Sequence, residues 1–350
     1  MHRQDLIDML SGTRRGAGAA TVRALAAAVE PFYAAAVTWR NRSFDAGRRA
    51  SKPLDRPAVS VGNLTTGGAG KTPMVIELCR RLADHGRRPG VLLRGYGGDE
   101  TRELAEALGD LASVEANPDR AAGAAALLQR DPATAVFVLD DGFQHRQVQR
   151  DLDLVLIDAT NPWGFGHVLP RGLLREPLDG LRRADAVIVT RADAVDAMTL
   201  RQLDETIEQH HGQRPAAHAA MCWLALCEGD DQAVRVEALR GMSVVAVAGI
   251  GNPQAFVDML ERHGAKIAAT ARFDDHHAYR PDDVRRVAAT LERHAAAAVV
   301  MTEKDWVKWR QVQYEMGSAA SLRVLRPKLG LRWLDGADHV DALLRAVGKK

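Results

Sequence analysis

A chain of 350 residues, 46% of them apolar, is long enough for two α/β units with real cores, which excludes a disordered or collagen-like protein. The three cysteines, Cys79, Cys222 and Cys227, lack metal-ligand spacing, so a disulfide scaffold is excluded and reduced thiols of a cytosolic protein are expected. A net charge of +2 makes no case for nucleic acid, and no nucleic-acid partner is expected.

The charge is unevenly spread. Residues 1–57 hold ten Lys/Arg against five Asp/Glu, a balance of +5 that leaves −3 for the remainder. No signal peptide is expected, since no compact apolar core precedes a small-residue cleavage site. Arg23, Glu30 and Pro31 interrupt the apolar stretch Val22–Trp39, so no run of the ~20 apolar residues of a membrane span is expected. After Pro31, Phe32, Ala35, Ala36 and Trp39 share one helical face, and Arg40, Arg42, Arg48 and Arg49 follow. That pattern suits either a helix lying on an anionic membrane surface or an Ala-rich helix packed on the protein's own core.

Residues 58–210 read as one lobe of alternating strands and helices. Strands are expected at Ala58–Val61, Gly90–Leu93, Ala135–Leu139, Leu152–Ile157 and Ala186–Thr190. A more polar, irregular stretch is expected from Asp193 to Arg240, with a lobe boundary near residue 210. A smaller α/β lobe, 211–350, then has strands at Ser243–Ala248, Lys266–Ala271 and Ala297–Met301 and helices over Gln254–His263 and Pro281–His294. The expected fold class is α/β, two-lobed and P-loop nucleoside triphosphate hydrolase-like, with mainly parallel sheets flanked by helices.

Thr65-Thr66-Gly67-Gly68-Ala69-Gly70-Lys71-Thr72 lies between the first strand and a helical run. Its glycines let backbone amides, that of Ala69 included, turn inward around phosphate oxygens, and the following helix N-terminus favours anions. Lys71 would reach the outer phosphates of a nucleoside triphosphate and the Thr72 hydroxyl would hold Mg²⁺. The strict motif wants glycine six places before the lysine, where this chain has Thr65.

Asp140-Asp141-Gly142-Phe143-Gln144-His145 follows the apolar run Val136–Leu139. A carboxylate at a strand end near a phosphate loop is the usual second half of a Mg²⁺–nucleotide site. Adjacent aspartates point differently in an extended chain, and either one could touch the metal. Arg175, beside Glu176, has a planar fork suited to phosphate, although a surface ion-pair turn reads as well. In Arg272-Phe273-Asp274-Asp275-His276-His277, Asp and His together could organise a proton acceptor, or could simply form a capped turn before the Pro281 helix. Thr190-Arg191-Ala192-Asp193 and Thr302-Glu303-Lys304-Asp305 each end a strand and lack the asparagine of the Asn-Lys-x-Asp motif that reads guanine.

These motifs, in this order, resemble the lipid A 4′-kinase (tetraacyldisaccharide 4′-kinase) family. The resemblance is carried by Ser60 to Pro73, Arg94-Gly95-Tyr96, Asp140 to Arg146, Leu174-Arg175-Glu176-Pro177-Leu178, Asp275-His276 and Thr302 to Asp305, and runs from about residue 30 to the C-terminal strand. It implies ATP- and Mg²⁺-dependent phosphorylation of the 4′-hydroxyl of a tetraacylated glucosamine disaccharide 1-phosphate. It also implies peripheral attachment to the cytoplasmic face of a bacterial inner membrane. For the residues, it implies ATP phosphates on Gly67, Gly68, Ala69, Gly70 and Lys71, with Mg²⁺ on Thr72 and Asp140 and support from Asp141 and Glu176. Arg175 would steady phosphate charge, and Asp99 paired with His276 would accept the sugar proton. The chain departs from the family in having only Gly97 and Gly98 between Tyr96 and Asp99, where a longer segment is usual. Two other readings remain: a P-loop GTPase or metallochaperone switch, and an inactive membrane-bound nucleotide sensor.

Overall fold

The computed structural model describes residues 3–95, 99–229, 232–250, 253–274, 277–317 and 322–349, with only the backbone of residues 3, 4, 6, 99, 100 and 255. The chain divides into two compact units: residues 7–221 with 331–350, and residues 1–6 with 222–330. In chain order the elements are α1 (Arg3–Ser11), α2 (Ala17–Asp45), β1 (Ala58–Asn63), α3 (Lys71–Asp84), β2 (Pro89–Leu93), α4 (Asp99–Leu108), β3 (Ser113–Ala116), α5 (Arg120–Arg130), β4 (Val136–Asp140), β5 (Leu152–Asp158), β6 (Ala186–Thr190) and α6 (Ala197–His211). These are followed by β7 (Ala217–Glu228), β8 (Gln232–Val234), β9 (Ser243–Ala248), α7 (Pro253–Arg262), β10 (Lys266–Arg272), α8 (Pro281–Arg293), β11 (Ala298–Met301), α9 (Glu303–Glu315), β12 (Val324–Asp335) and α10 (Ala337–Ala346).

In the larger unit the strand order is β7-β6-β5-β1-β4-β2-β3, and all of these pairs are parallel. β1, β2, β4 and β6 are buried along their whole length, as expected of strands covered by helices on both faces. One face carries Val59, Val61, Val136, Val138, Leu154 and Ile188 against the apolar side of α3 (Met74, Leu78, Leu82). The opposite face carries Phe143, Val155, Ile157, Val187 and Val189, with Tyr33 and Ala34 of α2 packed onto it. The register Val61↔Asp140, Asn63↔Leu156 and Asp158↔Thr190 aligns the carboxyl ends of β4, β1, β5 and β6, where open parallel sheets bind ligands. In the smaller unit the order β10-β9-β11-β12 is parallel in the β10–β9, β9–β11 and β11–β12 pairs, while β8 is antiparallel to β7.

The structure differs from three expectations. The chain passes between units inside β7, at 221/222, rather than near residue 210, and it returns at 331. The returning tail packs on α3: Leu331, Val340 and Leu344 join its core, Trp333 Nε1 donates to Glu77 Oε1 at 2.8 Å, and Arg81 pairs with Asp341 at 2.8 Å. The stretch expected to be irregular holds α6, started by Asp196 accepting from the Met198 and Thr199 amides and stopped by left-handed Gly212. Only Leu203 and Ile207 of α6 are buried, too sparse a pattern to betray the helix. Finally, α2 runs through Pro31 for 29 residues; a proline inside a helix removes one hydrogen bond without always ending it. This makes α2 the one helix among the described residues long and apolar enough, by length and composition, to cross a membrane.

Candidate active site

The loop from β1 to α3 is built by its neighbours as much as by its glycines. Thr65 forms an isolated antiparallel bridge with Leu174, the Thr66 amide donates to Leu173 O at 2.7 Å, and the Arg175 amide donates to Leu64 O at 2.7 Å. Threonine therefore serves where the strict motif has glycine, because this position is bridged to a neighbouring segment and has no positive φ. Gly67 (φ 154°) and Gly70 (φ 84°) do need their freedom, and Gly70 starts α3 in the left-handed region. A side chain on Gly67 or Gly68 would meet open space, so the outer wall of the loop is clear.

Lys71 opens α3, with its ammonium 3.0 Å from Asn63 Oδ1 and 3.4 Å from Asp141 Oδ1. Asn63 completes a staple by donating to Thr65 O at 2.8 Å and to Thr65 Oγ1 at 3.2 Å. Asp141 takes a left-handed backbone (φ 54°), a conformation aspartate tolerates better than most residues. Its second oxygen accepts from Arg175 Nη1 at 2.7 Å. Burial alone would raise the Asp141 carboxyl, but Lys71 and Arg175 outweigh it and hold the group below its ordinary value, so Asp141 is an anion near pH 7.

The neighbouring aspartate differs. Asp140 ends β4, is buried, and its carbonyl accepts from Arg120 Nη2 at 3.2 Å. Gly62 and Gly142 let this turn close against β1: a Cβ on Gly62 would lie 2.4 Å from Phe143 Cβ, and one on Gly142 would lie 2.6 Å from Ser60 Oγ. His145 is kept neutral, since burial, reinforced by Arg120, Arg150 and Arg94, pushes its imidazole down to about 4.

Glu176 is placed apart from the aspartates. It is fully buried, and its two oxygens accept from Asn41 Nδ2 (2.8 Å), Gln144 Nε2 (3.0 Å) and Arg183 (2.8 and 3.0 Å). Such a carboxylate is already saturated with donors and carries no open face for a metal. It instead fixes Gln144, which also donates to Asn63 O at 3.0 Å and accepts from Arg175 Nη1 at 3.3 Å. Lys71, Asp141 and Arg175 are thus brought together, with Thr72 one residue along α3 and Asp140 one residue before Asp141. Asp99 begins α4, but its side chain lies outside the described residues, as does the whole of His276.

Sequence reasoning missed the structural parts of Asn63, Gln144 and Asn41, and also Thr190 and Arg191. Thr190 Oγ1 donates to Ala69 O at 2.9 Å, and Arg191 Nη1 donates to Gly68 O at 3.0 Å while pairing with Asp158. Asn63 and Gln144 stand inside the quoted motifs, where polar residues beside a phosphate loop are a signal in themselves. For Thr190 and Arg191 the signal is their place at a strand end next to that loop.

The donor set fits Mg²⁺. A hydroxyl (Thr72) and a carboxylate (Asp140) are hard oxygen ligands, and among the described residues no cluster of three His, Cys, Asp or Glu could cage a metal. Mg²⁺ is usually held this way, by one or two protein oxygens plus nucleotide phosphates.

A parallel sheet whose first strand turns through glycines into a lysine-headed helix, with carboxylates ending the adjoining strand, defines a P-loop nucleotide-binding protein. The family model described as tetraacyldisaccharide-1-P 4′-kinase matches residues 22–347, and the chain belongs to this family. A tetraacyldisaccharide 4′-kinase from Anaeromyxobacter dehalogenans is 39% identical, with 94% of this chain and 91% of the relative covered. One from Geobacter sulfurreducens is 39% identical over 86% of this chain and 88% of its own length. Among solved structures, LpxK from Aquifex aeolicus in complex with ATP superposes with a TM-score of 0.72 at 26% identity, covering 93% of this chain and 98% of that one.

Proposed function

We propose that this chain carries out its family's reaction with the residues just described. The reaction is transfer of the γ-phosphate of ATP to the 4′-hydroxyl of a tetraacyldisaccharide 1-phosphate, the kinase step of lipid A biosynthesis. The observation that carries the assignment of roles is Lys71, held at the head of α3 between Asn63 and Asp141. A lysine so tethered loses little freedom when it meets phosphate oxygens, and positioning with charge neutralisation is most of what phosphoryl transfer asks of a protein.

Gly67, Gly68 and Gly70 supply the amide cradle, with the Ala69 amide closing the turn onto Gly67 O at 3.1 Å, while Lys71 and Arg175 bring positive charge to the transferred group. Thr72 and Asp140 hold Mg²⁺, which when bound neutralises charge on the phosphate oxygens. Asp141 holds Lys71 and Arg175 on its two oxygens, and Glu176 orients the Gln144 amide behind them. Asp99, paired with His276, accepts the proton of the sugar hydroxyl.

The lipid is met at a membrane surface on the cytoplasmic side. Supporting this, α2 has two unlike faces. On one, Tyr33 donates to Arg175 O at 3.1 Å, Asn41 donates to Glu176, and Glu30 accepts from the Val168 amide at 3.0 Å. On the other, Leu25, Val29, Phe32 and Trp39 stand exposed in one helical stripe, with Arg42, Arg48 and Arg49 beyond them. A helix bound to the protein along one side and apolar along the other lies on a bilayer rather than through it.

Two measurements test these roles. Labelled γ-phosphate should pass from ATP to a tetraacyl disaccharide 1-phosphate in micelles, with Asp99→Ala and His276→Ala each losing turnover while Mg-ATP binding persists. GTP displacing ATP in a binding competition, with no transfer, would move the protein to a switch; bound ATP with no transfer would move it to a sensor. For the membrane, Phe32→Asp with Trp39→Asp should abolish sedimentation with anionic vesicles; sedimentation equal to wild type would exclude the α2 stripe as the anchor.

A further inference from the structure

The strand-end pair Thr190-Arg191, which lacks the asparagine of the base-reading motif of guanine-nucleotide proteins, turns onto the phosphate loop. Thr190 is fully buried at the end of β6, and its hydroxyl lies 2.9 Å from Ala69 O and 3.4 Å from Ile157 O. Arg191, in a left-handed backbone (φ 51°), donates to Gly68 O at 3.0 Å. Its guanidinium is held from behind by Asp158 at the end of β5, whose other oxygen accepts from Thr160 N at 3.0 Å and Thr160 Oγ1 at 2.7 Å. Two successive loop carbonyls are therefore gripped from the β6 side by two successive side chains.

The consequence follows from peptide geometry. In a planar trans peptide the carbonyl and the next amide point in opposite directions. Holding Gly68 O and Ala69 O toward β6 turns the amides of Ala69 and Gly70 away from it. The Ala69 amide closes a tight turn onto Gly67 O at 3.1 Å, and the Gly70 amide stands at the head of α3 beside Lys71. A glycine-rich loop is otherwise free to rotate these peptides, and each wrongly turned carbonyl would present negative charge to a phosphate. Met221 Sδ, 3.1 Å from a Cβ built on Gly70, closes the floor under the same peptide.

We infer that Thr190 and Arg191 are positioning residues for ATP: they set the peptide orientations of the phosphate loop by binding its carbonyls, without touching the nucleotide. This rests on the kinase reading above and names a part of the site that no motif supplies. Arg191 is partly exposed, so its replacement leaves the core intact; Thr190 is buried, so the hydroxyl-retaining Thr190→Ser accompanies Thr190→Val.

The test is equilibrium binding of Mg-ATP, read by calorimetry on the full chain, together with KM for ATP and for the lipid acceptor. Arg191→Ala and Thr190→Val should each weaken Mg-ATP binding about tenfold and raise KM for ATP alike, leaving KM for the acceptor unchanged. Arg191→Lys and Thr190→Ser, which keep a donor for the carbonyl, should recover most of the affinity. Mg-ATP binding by Arg191→Ala equal to wild type would overturn the inference. So would equal rises in both KM values with a lowered melting temperature, or an Arg191→Lys variant as weak as Arg191→Ala. Wild-type protein that binds Mg-ATP but transfers nothing to the lipid would instead sink the kinase reading, while the binding series would still decide the loop.

Discussion

Two carboxylates, each placed just after a parallel strand, show how the same local structure serves different ends. Asp141 follows β4, is about one-third exposed, and shares its oxygens between two cations, Lys71 and Arg175. Asp305 sits in the first turn of α9 after β11 and is almost fully buried; it accepts from Tyr279 Oη at 2.8 Å, Thr302 Oγ1 at 2.7 Å and the Gly249 amide at 3.1 Å. Burial, reinforced by Asp305, pushes the Tyr279 hydroxyl upward, so it stays protonated and remains a donor. All three partners of Asp305 are neutral, and Thr302 caps α9 by accepting from the Asp305 amide. A charge surrounded by neutral donors and sealed from solvent organises loops; a charge that holds cations at an open edge organises a ligand. The Thr-Glu-Lys-Asp sequence belongs to the first kind.

The largest effect is expected at the cation itself. Lys71→Met should lower kcat/KM by roughly 10²–10³, the scale of removing one preorganised charge donor, with the melting temperature barely moved. An identical isosteric change then separates the two carboxylates. Asp141→Asn keeps the left-handed backbone but frees Lys71 and Arg175, and should lower turnover by roughly 10²-fold with little change in stability. Asp305→Asn presents an amide N–H₂ to a site that offers only donors, so it should lower unfolding stability by about 1–3 kcal/mol. A urea midpoint for Asp305→Asn equal to wild type, or an Asp141→Asn enzyme of normal turnover, would erase the contrast.

Much of this was legible in the chain. The five strands expected between residues 58 and 190 form within a residue or two of their expected ends, because buried parallel strands are short unbroken apolar runs bounded by polar turns. The structure brings Lys71 and Arg175 onto the two oxygens of Asp141. What escaped is set by contacts distant in sequence. Glu176 reads as a metal ligand until Asn41, which is 135 residues away, Gln144 and Arg183 are seen to saturate it. The unit boundary inside β7 was hidden because the strand crosses it without a breaker, and the return of residues 331–350 depends on Trp333 finding Glu77 across 256 residues. Periodicity reports which face is buried, not against what.

A third charged cluster sharpens the comparison further, because it pairs opposite charges away from the phosphate loop. His218 in β7 lies 2.9 Å through Nδ1 from Asp335 and 3.0 Å through Nε2 from Asp204 of α6. Burial alone would lower its imidazole, but the hydrogen bonds and charges of Asp204 and Asp335 outweigh it and raise the value above the ordinary 6.5. The folded protein therefore holds this proton more tightly than the unfolded chain does. The stabilisation is fully present below pH 6.5 and fades as the pH climbs through the raised folded value. His218→Gln keeps polar contact without titrating. The urea midpoint of wild type, followed from pH 6 to pH 9, should fall toward that of His218→Gln while nucleotide affinity stays level in both. A gap between the two proteins that is constant across this range would mean that the pair stabilises by shape rather than by charge. A parallel loss of nucleotide affinity would mean that ion pairing alone, without an open edge, also marks a ligand site.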